Sequence, residues 1–119
     1  MINRTAFYGS IYSGDYQVVA NLLKNWVQSE DLNIKIRLSG EEILYEDERL
    51  YLYCYNAMDN EGVASSFLLE GNMSGTLDET KVFLQQLRQL CKDQYIIGSF
   101  EYVEVTEDGV EVSDQFYIE

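Results

Sequence analysis

Aspartate and glutamate are the residues of this chain that could most readily take part in catalysis or ligand binding. Three groups of neighbouring acids, Glu41-Glu42, 46–48 and Glu107-Asp108, have the residue types of general acid and base pairs. Each group falls in a segment with turn composition, where a run of charges is usually solvated. The chain contains no histidine, so the most common general base at neutral pH and the most common metal ligand are missing. We therefore predict a protein that is not an enzyme, with no catalytic residues, no metal ligands and no cofactor.

The cysteines and the apolar segments argue against a disulfide-bonded, secreted or membrane-spanning protein. Cys54 and Cys91 lie far apart without a CxxC pattern, and each occupies a position that local periodicity assigns to the core, so we expect buried small hydrophobic residues. No window of about 18 apolar residues occurs, and the N-terminal segment lacks the charged and apolar regions of a signal peptide. These features predict a single cytoplasmic domain spanning residues 1–119 that does not bind membranes.

The segment LYEDERLYLYCYN at 44–56 carries an unusual series of aromatic residues. Tyr51, Tyr53 and Tyr55 alternate with apolar residues, which is the pattern of a strand with one buried face. The tyrosines then lie on the opposite face, about 7 Å apart along the strand. Two uses remain open for them: stacking on Tyr102 or Phe100 of a neighbouring strand, or contact area for another protein.

Periodicity predicts the elements that position these residues. An apolar helical stripe covers 15–29, and a second helix over 77–93 begins at a capping box formed by Thr76 and Glu79. The remaining segments have strand patterns: 4–14, 33–38, 42–46, 49–56, 63–71, 95–105 and 109–118, with 42–56 allowed as one bent strand. The two halves form tandem βαββ-like units. We expect an α+β fold in which two helices pack on one face of an antiparallel-rich sheet and leave the other face open.

Charge indicates the kind of partner. Twenty-one acids oppose eight basic residues, for a formal net charge of −13. Such a chain repels nucleic acid and anionic membranes and attracts basic proteins at long range. After Lys92 the chain holds no basic residue, and the Asp-Gly step at 108–109 predicts a hairpin that carries an acidic edge. If that hairpin pairs near 49–56, tyrosines and acids share one surface.

The order of elements resembles that of small acidic cytosolic immunity proteins of bacterial toxin–immunity systems. The resemblance covers most of the chain and includes the step Gly98-Ser99-Phe100 after the second helix, which opens a strand that ends in acids at Glu107-Asp108. The Asn-His step expected ahead of the second helix in that family is Asn72-Met73 in this chain. The resemblance implies a protein that neutralises a cognate toxin by covering or distorting its active site.

These observations predict a non-enzymatic acidic protein that binds a basic protein, either a toxin or another nucleic-acid enzyme, and makes no direct contact with nucleic acid. The alternatives are a phage-encoded inhibitor that mimics DNA to block a host nuclease or a CRISPR effector, a homodimer that buries the tyrosines, and a glyoxalase-like ligand-binding or enzymatic domain, which the missing histidines disfavour. The predicted partner-binding residues are Tyr51, Tyr53, Tyr55, Glu46, Asp47, Glu48, Glu101, Glu104, Glu107 and Asp108.

Overall fold

The structure is a computed structural model that describes residues 4–38, 40–58 and 64–118. Its elements, in chain order, are β1 (Arg4–Ile11), α1 (Tyr16–Val27), β2 (Asn33–Arg37), β3 (Gly40–Glu46), β4 (Leu50–Met58), β5 (Ala64–Ser74), α2 (Leu77–Asp93), β6 (Gly98–Val105) and β7 (Phe116–Tyr117).

One seven-stranded sheet of order β2-β3-β4-β5-β1-β6-β7 contains all of these strands, and every neighbouring pair is antiparallel. Both helices pack on the same face of this sheet. The predicted α+β fold with tandem βαββ-like units is confirmed, and the first unit carries one extra strand because 42–56 forms two strands rather than one bent strand.

Local capping chemistry determines where the helices begin. Asp15 caps α1, with its Oδ1 accepting a hydrogen bond from the N–H of Gln17 at 2.9 Å. The predicted capping box of α2 is confirmed: Thr76 Oγ1 accepts from Glu79 N, and Glu79 Oε1 accepts from Thr76 N, both at 3.1 Å.

The core lies between the sheet and the helices and is centred on Trp26 of α1. The Trp26 ring stacks on Phe83 of α2 at 4.1 Å between centroids and meets Phe7 of β1 edge-on at 5.8 Å. Its Nε1 donates to the Phe83 carbonyl at 2.7 Å, so its one polar atom is satisfied. Cys54 and Cys91 are free thiols buried in the same cluster, as predicted.

Two predictions about the last third of the chain are wrong. Residues 95–97 do not belong to β6, since Tyr95 lies in the C-terminal cap of α2 with φ of 58°. The predicted strand over 109–118 shortens to β7 and an isolated bridge between Val105 and Glu111. Its pairing is interrupted where the Ser113 hydroxyl, rather than a backbone carbonyl, accepts the Glu104 N–H at 2.9 Å.

The last hairpin does not pair near β4. Strands β5 and β1 lie between β4 and β6. Phe100 and Tyr102 are buried on the helix side of the sheet, within the same cluster as Trp26. They are therefore not stacking partners for the tyrosines of β4.

Candidate interaction surface

The sheet has an open face, defined as the face opposite the two helices. Along β4 the half-buried Tyr51, Tyr53 and Tyr55 alternate with the buried residues of 50–54, so all three tyrosines lie on the open face, where the alternation places them. The rings of Tyr53 and Tyr55 stack at 5.2 Å between centroids. This pair forms an aromatic ridge on one side of the face.

A row of side chains crosses the open face at right angles to the strands. Strand register pairs Tyr53 with Glu70, Glu70 with Tyr8, Tyr8 with Glu101, and Glu101 with Tyr117. We call these five residues the central row. Because neighbouring strands lie about 4.8 Å apart, the row extends over roughly 19 Å and alternates aromatic rings with carboxylates.

Three carboxylates surround Tyr8 in the middle of the row with negative charge. Burial, and then the carboxylates of Glu111, Glu70 and Glu101, raise the pKa of the Tyr8 phenol above its ordinary value. Glu101 comes from β6 and Glu111 from the segment beyond it, so three different parts of the chain supply this charge. Three carboxylates near one half-exposed phenol make the centre of the face attractive to a cation.

A second cluster of carboxylate and phenol lies toward the β2 edge. Burial, and then a hydrogen bond to Glu42, raise the pKa of Tyr53. The same bond, followed by a bond from Arg37, lowers the pKa of Glu42. The Arg37 Nε lies 3.1 Å from Glu42 Oε2. The positive charge of Arg37 is thus paired with Glu42 near the β2 edge.

The open face is concave around the central row. An open groove of about 470 Å³, which we call the main groove, has a floor of small residues at Gly9, Ser10 and Ser99. Its remaining lining residues are Tyr8, Tyr55, Leu68, Leu69, Glu70, Phe100, Glu101 and Tyr117. A smaller groove of about 250 Å³ adjoins it and shares Tyr8 and Glu70. The face is therefore shaped to receive a protruding side chain or a convex segment.

Arg4 is a cation on this face, and its hydrogen bonds are structural. It donates from Nε to Asn72 Oδ1 at 2.8 Å, from Nη1 to Ser74 Oγ at 2.7 Å, and from Nη2 to the Arg49 carbonyl at 3.2 Å. These bonds tie β1 to β5 and to the turn between β3 and β4. They hold the guanidinium at the end of the smaller groove, away from Glu101.

The acids predicted at 46–48 occupy different environments. Glu46 is exposed and pairs in register with Tyr51 on the open face. Asp47 instead builds the turn between β3 and β4, where it accepts from Tyr45 Oη at 2.7 Å and from the backbone N–H groups of Arg49 and Leu50, each at 2.8 Å. The pKa of Asp47 is lowered by its bond from Tyr45 and then by the backbone bonds. Asp47 therefore has a clear structural role.

The acids of the last hairpin divide in the same way. Glu101 lies in the central row, whereas Glu104 has the strand parity of Phe100 and Tyr102 and so lies on the helix side of the sheet. Glu107 and Asp108 are exposed in the turn after β6, where Glu107 lines the smaller groove. Glu48 is likewise an exposed turn residue.

Sequence reasoning did not select Tyr8, Glu70 or Tyr117, which are three of the five residues of the central row. Alternation within β1 and β5 places Tyr8 and Glu70 on the open face, because Phe7 and Leu69 beside them are buried. No local pattern shows that they are neighbours. That relation comes from the pairing of β1 with both β5 and β6.

No protein-family model matches this chain, and no curated protein matches it significantly. In the part of the chain that the structure describes, no helix is long and apolar enough to cross a membrane. Within those same residues, no group of three or more cysteine, aspartate or glutamate side chains is placed to hold a metal ion.

Proposed function

We propose that this protein is a cytoplasmic, non-enzymatic binding protein that neutralises a basic partner, as an immunity protein neutralises a cognate nuclease-type bacterial toxin. The observation that carries the proposal is the central row, where Glu70 and Glu101 alternate with tyrosines across the concave open face. An arginine side chain fits this chemistry. Its guanidinium stacks on a tyrosine ring while it donates hydrogen bonds to the adjacent carboxylate.

The charge of the whole chain supports the same kind of partner. A net charge of −13 raises the rate at which a basic protein encounters the open face. Enzymes that cleave nucleic acids present basic clefts because their active sites must attract phosphates. A protein that seats tyrosines and carboxylates in such a cleft excludes the substrate.

A DNA mimic is the alternative that this composition allows, and the central row supports it less. Mimicry of a phosphate backbone needs carboxylates in close succession. In the central row each carboxylate is flanked by tyrosines, so Glu70 and Glu101 lie two strands apart, at about 10 Å. Alternation of this kind favours recognition of individual arginine or lysine side chains.

Affinity capture with a charge-matched control tests the proposal. The wild-type protein and a Glu70→Gln/Glu101→Gln variant are each immobilised on a resin and incubated with bacterial lysate. Proteins retained at low and at high salt are then identified by mass spectrometry. The control, Glu30→Gln/Asp93→Asn, removes the same charge from exposed positions near the ends of the two helices. We expect wild type and control to retain a basic protein that elutes as salt rises, and the Glu70/Glu101 variant to retain at least about tenfold less.

The captured protein is then assayed for cleavage of RNA and DNA with and without the purified binding protein. Inhibition that the Glu70/Glu101 variant loses supports the proposal and gives the partner's activity. Equal retention by all three proteins would contradict a role for the central row. A homodimer that persists at high salt, with no other protein retained, would assign the open face to a second copy.

A further inference from the structure

The C-terminus of α2 ends in a motif that normally contains glycine. With Gln94 as the C-cap, the Tyr95 N–H donates to the Lys92 carbonyl at 3.0 Å, and the Ile96 N–H donates to the Cys91 carbonyl at 2.8 Å. These two bonds define a Schellman motif, whose C′ residue adopts the left-handed conformation. Tyr95 occupies that position with φ of 58°.

Tyrosine at this position has a conformational penalty and no compensating contact. Glycine is common at C′ because it lacks the Cβ atom that the left-handed conformation crowds. The Tyr95 side chain is 99% exposed, so it packs against nothing in its own chain. A strained backbone that presents a large exposed aromatic residue indicates a role outside the fold, such as contact with another molecule.

Two exposed apolar residues, Tyr12 and Ile97, lie beside the main groove, and Tyr95 precedes Ile97 by two residues in the chain. Ile97 is 72% exposed, and its carbonyl accepts a hydrogen bond from the N–H of Tyr12 at 2.9 Å. Tyr12 is 53% exposed. Tyr12 and Ile97 each lie two residues from a floor residue of the groove, Ser10 and Ser99 respectively, and so extend the open face by one row.

We propose that Tyr95, with Tyr12 and Ile97, is an apolar anchor for the same basic partner, and that it receives an apolar side chain adjacent to the arginine held at Glu70 and Glu101. This inference rests on the proposed function. The occupant follows from charge complementarity, because a second copy of a chain with net charge −13 would bring two acidic faces together, whereas a basic segment would be attracted. Exposed aromatic residues of this kind are typical interface hot spots.

The test compares two labelled heptapeptides by fluorescence anisotropy: one alternates arginine with leucine, and the other has serine in place of every leucine. We expect wild type to bind the leucine peptide about tenfold more tightly than the serine peptide. In Tyr95→Gly this preference disappears, while Tm rises because glycine removes the penalty at C′. Leu38→Ala, which alters a fully exposed apolar residue at the end of β2, keeps the preference.

The outcomes separate this inference from the proposed function. If neither peptide binds wild type, the proposed basic partner is refuted and the anchor with it. If both peptides bind and Tyr95→Gly keeps the preference for leucine, the anchor is refuted while the proposed function stands. A wild-type dimer in light scattering that becomes a monomer in Tyr95→Gly would also overturn the inference, since Tyr95 would then bind a second copy. Loss of the preference in a variant with raised Tm excludes loss of folding as the cause.

Discussion

Replacing Gly71 with alanine tests the strand register that assembles the open face. A Cβ atom at Gly71 would lie 2.2 Å from the backbone oxygen of Tyr51 on β4 and 2.6 Å from Cζ of Phe7 on β1. Ordinary contacts of a Cβ atom begin near 3.4 Å. To relieve both clashes, β4 must move by more than an ångström and the Phe7 ring must also shift within the core. Both changes disturb the pairings that place Tyr53 and Tyr8 beside Glu70.

The expected loss of stability in Gly71→Ala depends on which atom the new Cβ would clash with. Forcing additional atoms into a packed core costs roughly 1–3 kcal/mol, and the upper end applies because the nearest atom belongs to the backbone of a paired strand. A loss of about 3 kcal/mol lowers Tm by about 12 °C for a domain of this size. Urea and thermal unfolding are followed by the fluorescence of Trp26, the single tryptophan of the chain, which lies in the core.

Gly109→Ala is the matched control for this prediction. Gly109 has φ of 86°, and nothing lies within 4 Å of the position that its Cβ would take, so alanine there incurs backbone strain alone, about 1 kcal/mol. We expect Gly71→Ala to be destabilised by about 2 kcal/mol more than this control. Equal losses in the two variants would refute the close approach of β4, β5 and β1 and the register built on it.

Three further predictions concern the helix cap, the thiols and the aromatic ridge. Thr76→Ala removes one half of the capping box of α2 and should lower the free energy of unfolding by about 1 kcal/mol in urea titrations, whereas unchanged stability would contradict the cap. Burial raises the pKa of Cys54 to about 12 and of Cys91 to about 11. Unfolded thiols ionise at lower pH, so we expect stability to fall as pH rises above 9, and iodoacetamide to label both residues at pH 8 only after unfolding; rapid labelling of the native protein would refute their burial. Tyr53→Ala should weaken binding of the captured basic partner by about 2 kcal/mol in calorimetry with little change in Tm, and equal affinity would remove this tyrosine from the interface.

Local patterns predict the elements and the faces of this protein well. The helical stripe, the capping box at Thr76 and the alternation through Tyr51, Tyr53 and Tyr55 each depend on residues within a few positions of one another. Alternation along β6 likewise puts Glu101 and Glu104 on opposite faces of the sheet, although the prediction placed both on one acidic edge. Parity alone corrects that error.

Two kinds of information were beyond the reach of local patterns. The first is long-range register: Glu70 becomes a neighbour of both Tyr8 and Tyr53 only because β5 pairs with β1 on one side and β4 on the other. The second is the competition of side chains for backbone groups. Asp47, which belongs to a run of charges, accepts hydrogen bonds from backbone N–H groups of a turn. The Ser113 hydroxyl accepts a hydrogen bond from the Glu104 N–H, which would otherwise bond to a neighbouring strand, so the predicted strand is interrupted there.

The position of β1 in the sheet affects how the protein is made. β1 precedes both of its sheet neighbours in the chain, so its two edges stay unpaired until β5 and β6 have been synthesised. Tyr8 is synthesised well before Glu101 and Tyr117, which complete the other side of the central row. Incomplete chains therefore lack the central row. Assembly of the central row also requires the folding time of a sheet dominated by long-range pairings.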